Sequence, residues 1–213
     1  MNNTFEKQAG ISLILFTVLL VFTMVLHPLG GSIQRLIRIT PVIVLIHSVA
    51  ILSLPFGCIG FLGLTRKIGI ENYGSVLGFI LVCFALIATL IAAATNGLIV
   101  PLYLQHYKEA TPDTIESINP ILRLGFTINL AFDYIYTGAF CLAILCWSIA
   151  ILITKKLAAW MGWLGIFISL LTAVIFISGV AVNNLHGLRI FVVCVIGWIL
   201  LMGAVLYRSP SHA

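Results

Sequence analysis

The sequence predicts an all-α fold, a six-helix transmembrane bundle with a short interfacial helix after the first span. Two observations carry that prediction. Of the 213 residues, 62% are hydrophobic and only 8% charged, where a soluble domain carries about 25% charged residues; the mean hydropathy is +1.20. The apolar residues also come in long runs parted by short polar breaks. That is the pattern of helical spans, and not of an outer-membrane barrel, whose strands alternate over about ten residues. The chain reads as one transmembrane domain over residues 1–213, with spans at about 11–27, 41–64, 75–105, 124–154, 157–182 and 188–207.

The first apolar run is interrupted only by Thr17 and Thr23. Lys7 is balanced by Glu6, and His27-Pro28 stands where a small-residue cleavage site would be, so a retained span is expected instead of a signal peptide. Pro28 and Gly30-Gly31 then break the helix, and Ser32 caps a short segment carrying Arg35 and Arg38 that ends at Pro41. Those two arginines anchor the segment in the interface or hold a lipid headgroup or anionic substrate. Span two contains His47; its Pro55 predicts a kink, and Gly57, Gly60 and Gly63 predict a close helix contact. Arg66-Lys67 stop it.

Span three is long enough to tilt or project beyond the bilayer, and Thr95-Asn96-Gly97 with Pro101 near its far end predicts local unwinding or simple packing through Gly97. The most polar loop follows, with Lys108, Glu109, Asp113, Glu116 and Arg123 around Pro112 and Pro120, and is expected to form a surface helix or ordered cap. Span four ends at Lys155-Lys156. Trp160 and Trp163 open span five at headgroup level, and Asn183-Asn184-Leu185-His186-Gly187 turns the chain into span six. The run Leu157-Ala158-Ala159-Trp160-Met161-Gly162-Trp163-Leu164-Gly165 and the turn Asn184-Leu185-His186-Gly187 resemble features of small bacterial six-span membrane proteins of unknown function. The resemblance covers mainly the last two spans. It implies a helical bundle in a bacterial inner membrane and assigns no functional residue.

Six spans place both termini on one side. That side carries Lys7, Arg66, Lys67, Lys155, Lys156 and Arg208, the other Arg35, Arg38, Lys108, Arg123 and Arg189, so the positive-inside rule places the termini in the cytoplasm by a narrow margin. The net charge of +5 is spread thinly over loops, without the basic face of a nucleic-acid binder. All five cysteines lie within apolar spans, with no CxxC, and read as small buried hydrophobes. Esterase, P-loop, dinucleotide and zincin signatures are absent.

An ionisable group inside a span costs several kcal/mol in hydrocarbon and by default faces the bundle interior. Asp133 is such a group, and Asn129, Asp133 and Tyr136 fall at i, i+4 and i+7 on one helical face. At 1.5 Å per residue, His47 lies about 9 Å below the outer boundary, Asn96 about 12 Å, and Asn129 and Asp133 about 8 and 14 Å. His27, His106 and His186 stand at the rim of the same leaflet. The expected site is an outward-facing polar pocket built from Asp133, His47, Asn129, Asn96 and Tyr136, with Asp133 as charged or protonatable anchor.

Its leading function is binding, and moving in one version of that reading, a small or lipophilic ligand, with membrane lipids as the surrounding partners. A metal- or haem-dependent membrane redox enzyme is the second expectation, since imidazole and carboxylate are good transition-metal ligands and His47, His186 and Asp133 supply such a set. For haem, His47 with His186 or His27 would be the axial pair. The third is a structural subunit whose polar groups only fix helix register.

Overall fold

The computed structural model describes residues 3–28, 31–177 and 185–208. They form helices α1 (Asn3–Leu26), α2 (Ile33–Arg38), α3 (Thr40–Ile68), α4 (Tyr73–Ala94), a π-helical turn (Thr95–Ile99), α5 (Val100–Gln105), α6 (Pro112–Ser117), α7 (Asn119–Thr154), α8 (Ala159–Ile177) and α9 (Leu185–Tyr207), with no strand among the described residues. By length and composition, Thr4–Leu26, Ile33–Ile68, Tyr73–Gln105 and Asn119–Thr154 are able to cross a membrane. Ala159–Ile175 and Val193–Tyr207 are shorter apolar helical stretches.

Local chemistry sets the helix boundaries. Ser32, Asn72 and Thr111 each accept a hydrogen bond from the backbone N–H three residues on, capping α2, α4 and α6. Prolines occupy the first turns of α3, α5, α6 and α7, where the missing N–H has no intrahelical partner to lose. For this reason α7 begins at Asn119 and not near 124: Pro120 opens the helix that sequence punctuation places a turn later. α3 ends at Gly69, whose φ of 127° is open to glycine and almost closed to other residues.

The long helices pack as a ring in chain order. α1 lies between α3 and α9, α4 between α3 and α7, and α8 between α7 and α9. The close approaches depend on small residues. Along one face of α3, Gly57 meets the ring of Phe16, Gly60 meets Leu13 and Gly63 meets Ala9, so α1 seats directly on the α3 backbone. Gly10 does the same against Gly203 and Tyr207 of α9, where a Cβ would stand 2.5 Å from the Tyr207 nitrogen. In lipid, where apolar side chains gain little by leaving the solvent, such contact supplies the dispersion energy that holds helices together.

The centre of the ring is filled by aromatic side chains. Phe61 and Trp147 stack at 5.3 Å, Trp147 and Trp198 at 6.2 Å, and Phe16 and Phe140 meet Phe61 edge-on. Trp147 and Trp198 are fully buried, and the Trp147 indole N–H is shared between Thr65 Oγ1 and the Ser75 carbonyl, both 3.1 Å away. A buried indole without such partners would cost about 1–3 kcal/mol. At the end where residues 3 and 208 lie, Glu6 and Lys67 pair at 2.8 Å, Glu71 and Lys156 at 2.6 Å, and Lys7 sits over the Tyr207 ring. The outward faces are apolar: Val25 is 71% exposed, Leu45 64% and Val174 65%, which suits a hydrocarbon surround.

Candidate functional site

The opposite end of the bundle is where polar groups and open space coincide. Its geometry begins with Gln105 at the end of α5. The side-chain amide donates 2.8 Å hydrogen bonds to the Ile37 carbonyl and to Thr40 Oγ1, satisfying a terminal carbonyl of α2 and pinning the α2–α3 corner to α5. One face of that corner carries Leu36 and Ile43, and α5 contributes Val100, Pro101 and Leu104. Between them lies a cavity of about 180 Å³, completed by His27, Pro28, Gly31, His47, Asn96 and Phe126.

His47, one turn along α3 from Ile43, is buried, and its Nδ1 lies 2.8 Å from the Ile43 carbonyl. A carbonyl only accepts, so Nδ1 carries the proton, and a neutral ring then has its lone pair on Nε2. Gly97 permits the ring to lie where it does, because a Cβ there would fall on the imidazole. Gly97 belongs to the π-helical turn, in which the Val100 N–H reaches back to the Thr95 carbonyl. Pro101 follows and has no N–H to offer the preceding turn, so the helix widens there and Asn96 takes its place in the cavity lining. The sequence expectation of unwinding at Asn96-Gly97 is thus met by a wide turn and not by a break.

His27 is the residue sequence reasoning left at the rim. Its ring meets His47 edge-to-face with centroids 5.1 Å apart, and its Nδ1 donates to the Pro28 carbonyl at 3.1 Å. The signal was present in the sequence, since His27 ends the first span in the same leaflet as His47, but only helix packing brings α1 to α3.

The other expected residues lie elsewhere. Asn129 Nδ2 donates to Asp133 Oδ2 at 2.8 Å, an i, i+4 pair on α7, and both are half-buried. Neither lines the cavity. Phe126 does, and Asp133 is two turns further along the same helical face, about 10 Å deeper. Tyr136 is deeper still, packed edge-on against Phe140 in the aromatic floor. The structure therefore brings together His47 and Asn96, adds His27, and sets the Asn129–Asp133 pair between the cavity and the floor. For the expected metal set, the His186 side chain and the Asn183-Asn184 turn lie outside the described residues, as does His212. Among the described residues no three His, Cys, Asp or Glu side chains group as metal ligands. The cavity of about 180 Å³ is also smaller than the roughly 300–1,000 Å³ of sites for drug-sized molecules.

Comparison with protein-family models, with curated proteins and with solved structures finds no match to this chain.

Proposed function

We propose that the chain is a six-span integral membrane protein of a bacterial inner membrane, with both termini cytoplasmic, that binds a small lipophilic ligand in the cavity at the outer end of its bundle. The observation that carries this reading is the lining of that cavity. Of the eleven described residues that line it, eight are apolar or glycine and three are polar, His27, His47 and Asn96. Sites for organic molecules share this make-up, an apolar wall with a few placed polar groups that orient the ligand. A structural plug would be filled with side chains to the density of a protein interior and would leave no such space.

The anchor in this reading is His47 and not Asp133, because His47 lines the cavity and Asp133 does not. Moving the ligand across or out of the membrane would begin with the same binding step. Toluene tests that step, since an engineered apolar cavity of about 150 Å³ accepts benzene. Titrated into the full chain in phosphatidylcholine nanodiscs, toluene is expected to shift the ring proton resonances of His27 and His47 saturably. Leu36→Trp, which fills the cavity from its half-buried α2 wall, is expected to abolish the shifts. Linear, unsaturable shifts that persist in that variant would refute the reading.

A further inference from the structure

The polar end of the cavity has a fixed donor and acceptor pattern, and that pattern narrows the ligand. No lysine, arginine, aspartate or glutamate is among the described lining residues. A charged ligand would therefore enter an apolar enclosure without a counter-charge, at a cost of several kcal/mol. We take His47 there as the neutral imidazole, since an imidazolium would lack a counter-charge in that lining. With Nδ1–H committed to the Ile43 carbonyl, the group that His47 offers is an acceptor, Nε2. Asn96, another residue of the same lining, carries an amide that both donates and accepts.

A hydroxyl matches that pair, since its proton goes to Nε2 while its oxygen takes an N–H from Asn96. A ketone or ether has nothing to donate to Nε2 and would leave its lone pair desolvated and unpaired. Resting on the binding reading above, we infer that the cavity selects a neutral lipophilic alcohol or phenol, seated with its O–H toward His47 Nε2 and its carbon body against Ile43, Val100, Leu104 and Phe126. The size agrees. About 180 Å³ exceeds the roughly 150 Å³ that accommodates a benzene ring and leaves room for one or two further heavy atoms.

The test compares phenol, anisole and toluene on the full chain labelled with ¹⁵N-histidine in phosphatidylcholine nanodiscs, each ligand referenced to its concentration in the lipid phase. Phenol is expected to bind about fivefold more tightly than anisole, the effect of one net hydrogen bond. It is also expected to move the His47 Nε2 resonance upfield, which anisole and toluene leave in place. His47→Phe should equalise phenol and anisole. If that variant does not fold, Asn96→Leu should reduce the preference, and the Nε2 shift of the unaltered chain remains decisive. Equal binding of all three with Nε2 unmoved would overturn the hydroxyl preference while leaving the cavity as a general apolar site. Failure of all three to perturb either His27 or His47 would overturn both this inference and the binding reading.

Discussion

Gly97 and His47 hold each other in place: the glycine has no Cβ because the imidazole occupies that space, and the imidazole is aimed by its bond to Ile43. Gly97→Ala is therefore expected to push the ring off its site and to cost about 1–3 kcal/mol, the range for overpacking a filled interior, read as a lowered denaturation midpoint in mixed micelles. The same variant should weaken toluene binding. Asp133→Asn gives the opposite result. The Asn129–Asp133 bond joins residues about one and two turns below Phe126 on one helix, so a neutral amide at 133 is expected to leave toluene affinity within about twofold of the unaltered chain, a difference of roughly 0.4 kcal/mol. Titration of both variants under one condition separates the two roles. Asp133 stood out in the sequence because a carboxylate within an apolar run is conspicuous whatever it touches. His27 was inconspicuous because it lies at a helix end, and its importance arises from a contact between α1 and α3 that no periodicity within either helix encodes.

Helix contacts were legible where small residues recur. Gly57, Gly60 and Gly63 lie at three-residue spacing, and α1 seats on them as that spacing predicts. The partner of Gly10 was not legible, since a lone glycine near a helix start does not name the helix it meets. Its contact with Gly203 and Tyr207 closes the ring between the first and last helices. Gly10→Val should prise α1 from α9 and cost about 1–3 kcal/mol, with a greater loss of protection in amide hydrogen exchange for α1 and α9 than for α4 and α7. Equal loss in all four would mean that the ring unfolds as one cooperative unit. Prolines were misread at the element scale in one place. Pro120 reads from the sequence as part of a loop, whereas it starts α7, because sequence alone does not distinguish a proline that breaks a helix from one that begins it.

For the whole molecule, composition decides the solvent. Apolar side chains cover the outside of the ring as well as its inside, and the charged residues other than Asp133 lie toward the helix ends and loops. Depth could be counted from hydropathy and placed His47 and Asn96 in one leaflet, but the angle of each helix about its own axis could not, and that angle decides which residues share a cavity. At the end that holds residues 3 and 208, the Lys156 ammonium donates to Glu71 and holds its carboxyl below the usual carboxylate range. A depressed carboxylate contributes stability above its unfolded value, about 4.3, and loses it as pH falls through the lower folded value. Lys156→Met is accordingly expected to lower the thermal midpoint slightly near pH 7, and the difference from the unaltered chain to shrink as pH falls below about 4.3. The pair is exposed, so the difference at neutral pH is small.

The end of this bundle opposite residues 3 and 208 is proposed to hold an apolar ligand space anchored by His47. The most direct measurement is diffraction from crystals of the full chain, grown in a lipid phase and pressurised with xenon, which occupies apolar cavities of this size. The account predicts one anomalous peak enclosed by His47, Val100, Leu104 and Phe126. A bundle whose side chains close that space, with no xenon between α3 and α5, would contradict it.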